Sequence, residues 1–553
     1  LADTGKQPMH YANKRYTITY NGEIYNYLEL KENLIQKGYT FNSTSDTEVL
    51  LALYDQKKEK ALQELDGMFA FAIWDDHEKT LFCARDRFGE KPFYFHAGSD
   101  QFAFASEMKA LFSLDIPKII NHKKIYNYLL YTILEDPFDK SSTFYQSIQQ
   151  LEPAHYMTVS VNGQINQKKY WDINIKNQGK ILSETEAIEE FKDLFSLSVE
   201  RRLRSDVPVG SSLSGGLDSS SIVMLIDRLK KEKTVQKTFS ARFLDFAKDE
   251  GVYMQQVIDH STVEPHFVFP TADSVVQNFQ TISYHQEEPI ASASVAIQFE
   301  VMKLAKDNGI KVLLDGQGAD ELLAGYQLFW NTYLNQLYSG NRSKFRSALS
   351  TYAQLHHKTP IKKDIEFKWR SYHSASFTAV SKIKNTFKSP VSSYFLGIHP
   401  DIVTHYRRER NPIPKINSLK EHLYFFLMKR GLNELLRYAD RNAMANSVEV
   451  RLPFLSHKLV EFVFQLPDEL LLQEGWSKYI LRKSMEHILP PEICWRKDKI
   501  GYEPPQDQWM NSAYFKDYLQ EAIHYLQKEK IITSVVPELT WNYIALYAFS
   551  RIN

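Results

Sequence analysis

The stretch Val207-Pro-Val-Gly-Ser-Ser-Leu-Ser-Gly-Gly-Leu-Asp-Ser-Ser220 decides the reading of the larger part of the chain. A short apolar strand runs into a Ser-Gly-Gly-Leu-Asp-Ser turn, and an apolar helix starts near Leu217. Gly215 and Gly216 let the backbone approach an anion closely, the amides of the new helix's first turn have no intrahelical partner, and the helix dipole favours negative charge there. Ser214, Ser219 and Ser220 add hydroxyl donors. The plain alternative is a Ser/Gly turn that closes a strand, but the strand–loop–helix setting favours a phosphate cradle. The pattern G-x-x-x-x-G-K-[ST] is absent, which argues against ordinary γ-phosphoryl transfer.

The same alternation repeats downstream. Val207–Leu213, Thr238–Phe243, Pro265–Phe269 and Lys311–Leu314 read as short apolar strands separated by helical segments, which predicts a parallel, doubly wound α/β sheet. Ligands in such sheets bind beyond the carboxyl ends of the strands. The loop after Leu314, Asp315-Gly-Gln-Gly-Ala-Asp-Glu321, is again Gly-rich and again opens a helix, so the two loops suit the two ends of a nucleotide. Asp218 and Asp320 are carboxylates of the kind that hold Mg²⁺ on phosphate oxygens, or else first-turn acids favoured by the helix dipole. Lys478, in Gly475-Trp-Ser-Lys-Tyr-Ile-Leu-Arg482, opposes the dipole at a helix start and is either a phosphate ligand or a solvated surface lysine. Ahead of the first strand, Ile188, Phe191, Phe195, Val199 and Leu203 mark one face of an amphipathic helix. From about Leu328 the pattern is mainly helical to the end.

Residues up to about Asn162 read differently, as antiparallel β structure with helices on one side. Tyr16–Tyr20 is an expected strand ending in a type I′ turn at Asn21-Gly22. Helices are expected over Tyr27–Lys37 and from a capping box at Ser45-Asp-Thr-Glu48 to Lys57. Phe69–Trp74, Thr80–Arg85, Lys91–Phe95 and Gln101–Ala105 form an expected meander of strands. The polar stretch Asp172–Lys180 reads as the link, giving an N-terminal domain over 1–165 and a C-terminal one over 181–553.

With 553 residues the chain is too long for a single core, and 43% hydrophobic residues suffice for two. Lys+Arg and Asp+Glu both number 67, so net charge favours neither nucleic acid nor an anionic membrane as partner. Two cysteines, Cys83 and Cys494, make neither a disulfide framework nor a CxxC zinc pattern, which suits a reducing cytoplasm. No apolar run is long enough to span a bilayer. Small-molecule substrates are the expected partners, with at most a second copy of the chain in a homodimer.

Taken in order, Tyr20-Asn-Gly-Glu-Ile-Tyr-Asn26, Leu65–Asp75, Ala84-Arg-Asp-Arg-Phe-Gly-Glu-Lys-Pro92 and Phe104-Ala-Ser-Glu107 resemble a glutaminase domain of the Ntn-hydrolase-like type. Ser214–Ser219, Asp315–Tyr326, Asp440–Leu455 and Ser477–Arg482 resemble the motifs of an ATP-pyrophosphatase synthetase domain. Together they resemble the glutamine-hydrolysing asparagine synthetases of class B, over nearly the whole chain. The resemblance implies that in the full-length parent glutamine yields ammonia in the first domain, and that ATP, with Mg²⁺, activates aspartate as β-aspartyl-AMP in the second.

By that resemblance Leu213, Ser214, Gly215, Gly216, Asp218, Ser219, Ser220, Ala241, Asp315 and Gly316 bind ATP or pyrophosphate, and Asp218 and Asp320 hold the metal. Asp218, Lys478 and Gln317 would take part in catalysis, and Asn21, Gly22, Glu23 and Asp46 would bind glutamine. Many relatives carry Glu at the position of Gln317, and a glycine at that of Arg242. These departures keep open another carboxylate acceptor, or a catalytically silent homologue. Such glutaminases also use an N-terminal cysteine. The chain begins at Leu1, so an N-terminal truncation is expected, and Cys83, inside an apolar strand, is expected to be structural.

Overall fold

The structure is a computed structural model that describes residues 5–176, 179, 182–230, 235–356, 397–406, 414–497 and 503–552. It forms two compact units. One comprises the chain up to Asn121 with Asp139–Ile173, the other His122–Phe138 with the chain from Asn174 on. The second unit thus takes a helix, His122–Tyr131, from within the amidotransferase-like half of the sequence. Tyr128 fixes it there by donating its hydroxyl to the Ile290 carbonyl at 3.1 Å.

The first unit holds two antiparallel sheets. Six strands, β1 (Met9–Tyr11), β2 (Tyr16–Ile24), β3 (Gly67–Asp75), β4 (Thr80–Arg85), β8 (His155–Ser160) and β9 (Ile165–Lys169), lie in the order β1-β2-β3-β4-β8-β9. A smaller sheet has the order β6-β5-β7, with β5 Tyr94–Ala97, β6 Phe102–Ala105 and β7 Gln149–Gln150. The expected meander is therefore broken after Arg85. The cause is Asp86, fully buried, whose Oδ1 accepts the amides of Phe88, Gly89 and Glu90 and whose Oδ2 accepts those of Phe69 and Lys91. These bonds curl the chain out of the first sheet.

Two local expectations also change. Asn21-Gly22 is not a hairpin turn, because β2 runs straight through it, with Gly22 opposite Phe69. A Cβ at Gly22 would lie 2.1 Å from the Met68 carbonyl oxygen, so the glycine serves close strand approach. The capping box at Ser45 is half formed. Ser45 caps Thr47, while Glu48 turns back to the amides of Asn42 and Ser43.

The second unit is built on a five-stranded parallel sheet in the order β12-β11-β10-β13-β14. Its strands are β10 (Val209–Ser212), β11 (Gln236–Ala241), β12 (Val263–Val268), β13 (Val312–Leu314) and β14 (Glu449–Arg451). The expected strands all exist: β10 and β13 are shorter than expected, while β11 and β12 start earlier, at Gln236 and Val263, and end earlier, at Ala241 and Val268. β14 was not anticipated: it comes from the region read as helical and pairs parallel with β13 through Val312–Glu449, Leu313–Val450 and Leu314–Arg451. The expected amphipathic helix spans Glu184–Arg202 behind a complete Ser183/Glu186 capping box, and buries Phe191, Phe195 and Val199.

The order in which strands are added reverses at the middle of this parallel sheet. From β10 the chain moves outward to β11 and β12, and from β13 it moves to β14 on the other side. The loops after β10 and β13 consequently diverge and leave a crevice at their carboxyl ends, where open α/β sheets bind ligands.

Candidate active site

The crevice is a cavity of about 580 Å³. The loop after β10 contributes Leu213, Ser214, Gly216, Asp218 and Ser219 to its lining, β11 contributes Ala241, and the loop after β13 contributes Asp315, Gly316, Gln317 and Asp320. Lys478 closes the set from a distant part of the chain. Ser220 does not join them. Its hydroxyl is fully buried and it is absent from the lining, because the helix Leu217–Leu229 turns it into the core.

The first loop is held by its own hydroxyls. Ser219 Oγ lies 3.1 Å from the Ser214 amide and 3.0 Å from Ser214 Oγ, which in turn accepts the Gly216 amide at 3.3 Å. Gly216 is the N-cap of the following helix and provides no side-chain cap, so the first-turn amides have no capping side chain. That is the arrangement an anion completes.

Lys478 departs from both expected settings. It is 5% exposed and so is not a surface lysine. Nor does it wait unbalanced at a helix start, since its ammonium lies 2.5 Å from Asp218 Oδ2 and 2.7 Å from Asp320 Oδ1. Burial alone would depress its pKa, but the two carboxylates outweigh that and hold it above the usual lysine value. The residue occupies the left-handed region, φ 56°, and its amide donates to the Leu323 carbonyl at 3.2 Å. A non-glycine residue in that region carries strain that the surrounding contacts must sustain. The three sequence motifs thus meet at one ammonium.

Around this junction, Asp315 accepts the Gly316 amide at 2.6 Å and lies 3.4 Å from Ser212 Oγ. Burial pushes its carboxyl above the ordinary value, against those hydrogen bonds. Gln317 Oε1 is buried with no hydrogen-bond partner among the described residues. Tyr326 donates to Glu321 Oε1 at 2.6 Å, and burial followed by the charges of Glu321 and Asp320 keeps its phenol protonated. Arg242 points away: its guanidinium is tied to Asp249 at 2.9 Å and does not line the cavity.

In the first unit Asn21, Gly22 and Glu23 are consecutive on β2, and Asp46 braces both sides of them, accepting the Tyr20 hydroxyl at 2.9 Å and the Ile24 amide at 3.0 Å. Asn21 Nδ2 donates to Ser106 Oγ at 3.3 Å. Cys83 is fully buried and burial pushes its thiol far up; Cys494 is also buried, its thiol pushed up to about 11. Neither has the exposure or depressed pKa of a nucleophile.

Several site residues escaped the sequence reading. Gln298, Tyr438, Glu250 and Arg496 all line the cavity. Gln298 Oε1 accepts from Asn442 Nδ2 at 3.1 Å, and Asn442 Oδ1 accepts from Gln286 Nε2 at 2.9 Å, an amide ladder that joins three helices. Isolated Gln and Asn on helices carry no motif signal.

Fold and site together define a two-part protein, an amidotransferase-like unit and a nucleotide-type α/β unit. Residues 1–171 match the family model described as glutamine amidotransferase domain, and residues 190–537 match asparagine synthase. The first match begins at residue 1 and lends the expected truncation no support. Asparagine synthetase [glutamine-hydrolyzing] 1 of Bacillus subtilis (strain 168) is 32% identical over 94% of this chain and 81% of its own length. Asparagine synthetase 3 of the same organism is 30% identical over 89% and 76%. A protein named amidase chry2, from Gibberella zeae, is 25% identical over 93% and 81%. The chain belongs to the asparagine synthase family.

Proposed function

We propose that the chain makes asparagine from aspartate, ATP and ammonia, with glutamine as the ammonia source. The observation that carries this reading is the convergence of Asp218, Asp320 and Lys478 at the β10/β13 crevice, beside an uncapped helix N-terminus. The side-chain carboxylate of aspartate attacks the α-phosphorus of ATP, the bond to the β-phosphate breaks, and pyrophosphate leaves. Ammonia then attacks the acyl carbon of β-aspartyl-AMP, loses a proton and expels AMP. The protein's part is to position the reactants and stabilise charge building on the departing pyrophosphate. Leu213, Ser214, Gly215, Gly216, Asp218, Ser219, Ala241, Asp315 and Gly316 are the residues assigned to ATP.

Mg²⁺ would neutralise phosphate oxygens as they separate. Asp218 and Asp320 fit it, since Mg²⁺ commonly takes one or two carboxylates plus substrate phosphates, and these two already share one cation. In the first unit Asn21, Gly22, Glu23 and Asp46 are the residues we assign to glutamine, with the functional halves over 1–165 and 181–553. Arg242, paired with Asp249 and outside the cavity lining, lends another acceptor no support.

The test supplies the chain with ATP, Mg²⁺, an ammonium salt and a panel of carboxylates. Pyrophosphate and AMP released only with aspartate, in step with asparagine, is the expected result. A different acceptor, or none, would overturn the reading.

A further inference from the structure

Arg496 belongs to none of the motifs, yet it stands behind the first loop. It is 8% exposed and lines the cavity. Its Nη1 donates to the Gly215 carbonyl at 3.2 Å and lies 2.7 Å from Glu250 Oε1, while its guanidinium stacks 3.6 Å above the Tyr253 ring. Arg482 sets the position of this segment, donating from Nη1 to the carbonyls of Cys494 at 2.6 Å and Arg496 at 3.2 Å, and from Nε to that of Ser477 at 2.8 Å. One buried side chain therefore ties the backbone just before Lys478 to that of Cys494 and Arg496.

Two features of Arg496 are unaccounted for by packing. Its Nε and Nη2 are buried and have no hydrogen-bond partner among the described residues. Unmade hydrogen bonds of this kind destabilise a buried group, a charged one most of all. The other feature is what Nη1 does to the loop. In a trans peptide the carbonyl and the following amide point opposite ways, so holding the Gly215 carbonyl outward turns the Gly216 amide to the inner side of the loop. Gly215 sits at φ +74°, pressed against Tyr253 and Met254. The charges complete the case. Lys478 is offset by two carboxylates, whereas among the described residues Arg496 has one carboxylate partner, Glu250.

We propose that Arg496 is a second cationic anchor for the pyrophosphate end of ATP: it shapes the loop through Gly215 and binds a phosphate oxygen through Nε and Nη2. The proposal rests on the ATP reading above and adds a ligand contact to it.

The experiment is titration calorimetry of the full chain with inorganic pyrophosphate plus Mg²⁺ and, separately, with AMP, alongside thermal unfolding. Arg496→Met should weaken pyrophosphate binding about 10- to 100-fold, the loss of charge-assisted hydrogen bonds, and leave AMP binding unchanged. Arg496→Lys, which keeps the charge that Glu250 needs but not the two-pronged fork, should recover part of the loss. Pyrophosphate binding unchanged in Arg496→Met, or equal loss of AMP and pyrophosphate in Arg496→Lys, would overturn the proposal. A wild-type chain that binds neither ligand would overturn the ATP reading and this contact with it.

Discussion

The loops after β10 and β13 look alike as sequence, each Gly-rich and each opening a helix, but they are built for different tasks. The first leads into a thirteen-residue helix, Leu217–Leu229, and is braced by serine hydroxyls around open amides. The second opens a single turn, Ala319–Leu322, that ends at once and delivers Asp320 to Lys478. A long helix aligns many peptide dipoles at its start, and one turn aligns few. The first loop is thus suited to hold an anion by its backbone, the second to place a side chain.

Removing the residue that joins them should have the largest effect. Lys478→Met leaves Asp218 and Asp320 facing each other without their shared cation, and should lower aspartate-dependent pyrophosphate release about a thousandfold. Steady-state rates beside a melting curve check this. A rate within tenfold of wild type in a folded variant would break the comparison.

The two carboxylates should then separate the loops. Asp218 is in the first turn of the long helix, where it meets Lys478 beside the uncapped first-turn amides, and Asp320 meets Lys478 from the short one. Asp218→Asn should reduce pyrophosphate release about a hundredfold and Asp320→Asn less, with both chains folded. The reverse order would exchange the roles assigned to the two loops.

Away from both loops, Glu434 sets a pH limit on the second unit. Burial, then the charge of Glu135, raises its carboxyl to about 7, against the opposing effect of Arg430 and the amides of Leu134 and Glu135. A raised folded-state value means that its contribution to stability is fully present below the unfolded value, near pH 4.5, and is lost as pH rises through about 7. Glu434→Gln should therefore gain roughly 2 kcal/mol over wild type at pH 8 and little or nothing at pH 4.5, by denaturant unfolding of the second-unit transition.

Smaller effects follow at Gln317 and Cys83. Gln317→Glu adds a carboxylate to the lining, and should alter ammonia-dependent turnover by less than about tenfold while adding an acidic limb to its pH profile. Cys83→Ala should leave glutamine- and ammonia-dependent rates alike unchanged, because the thiol is sealed in the β-sheet core. Loss of glutamine use alone would make Cys83 the nucleophile.

The parallel sheet was legible because its strands are short apolar runs, each closed by a turn signal. β14 was not, since Glu449-Val-Arg451 is three residues long and owes its extension to pairing with β13. Asn21-Gly22 misled for a related reason: local preference indicated a turn, and close pairing of β2 with β3 overrode it. Lys478, Asp218 and Asp320 could each be singled out from sequence, but not their contact, which joins residues 260 positions apart. Arg496 offered less still, one of three basic residues in Arg496-Lys-Asp-Lys499, whose meaning comes from Gly215 and Tyr253.

The central claim is that the β10/β13 crevice activates aspartate by adenylation. It is tested most directly with aspartate carrying ¹⁸O in its side-chain carboxylate, supplied with ATP, Mg²⁺ and an ammonium salt, and mass analysis of every phosphorus-containing product. The account predicts one labelled oxygen in AMP for each asparagine formed, and none in pyrophosphate. Label in inorganic phosphate with ADP as co-product, or asparagine formed with unlabelled AMP, would contradict it.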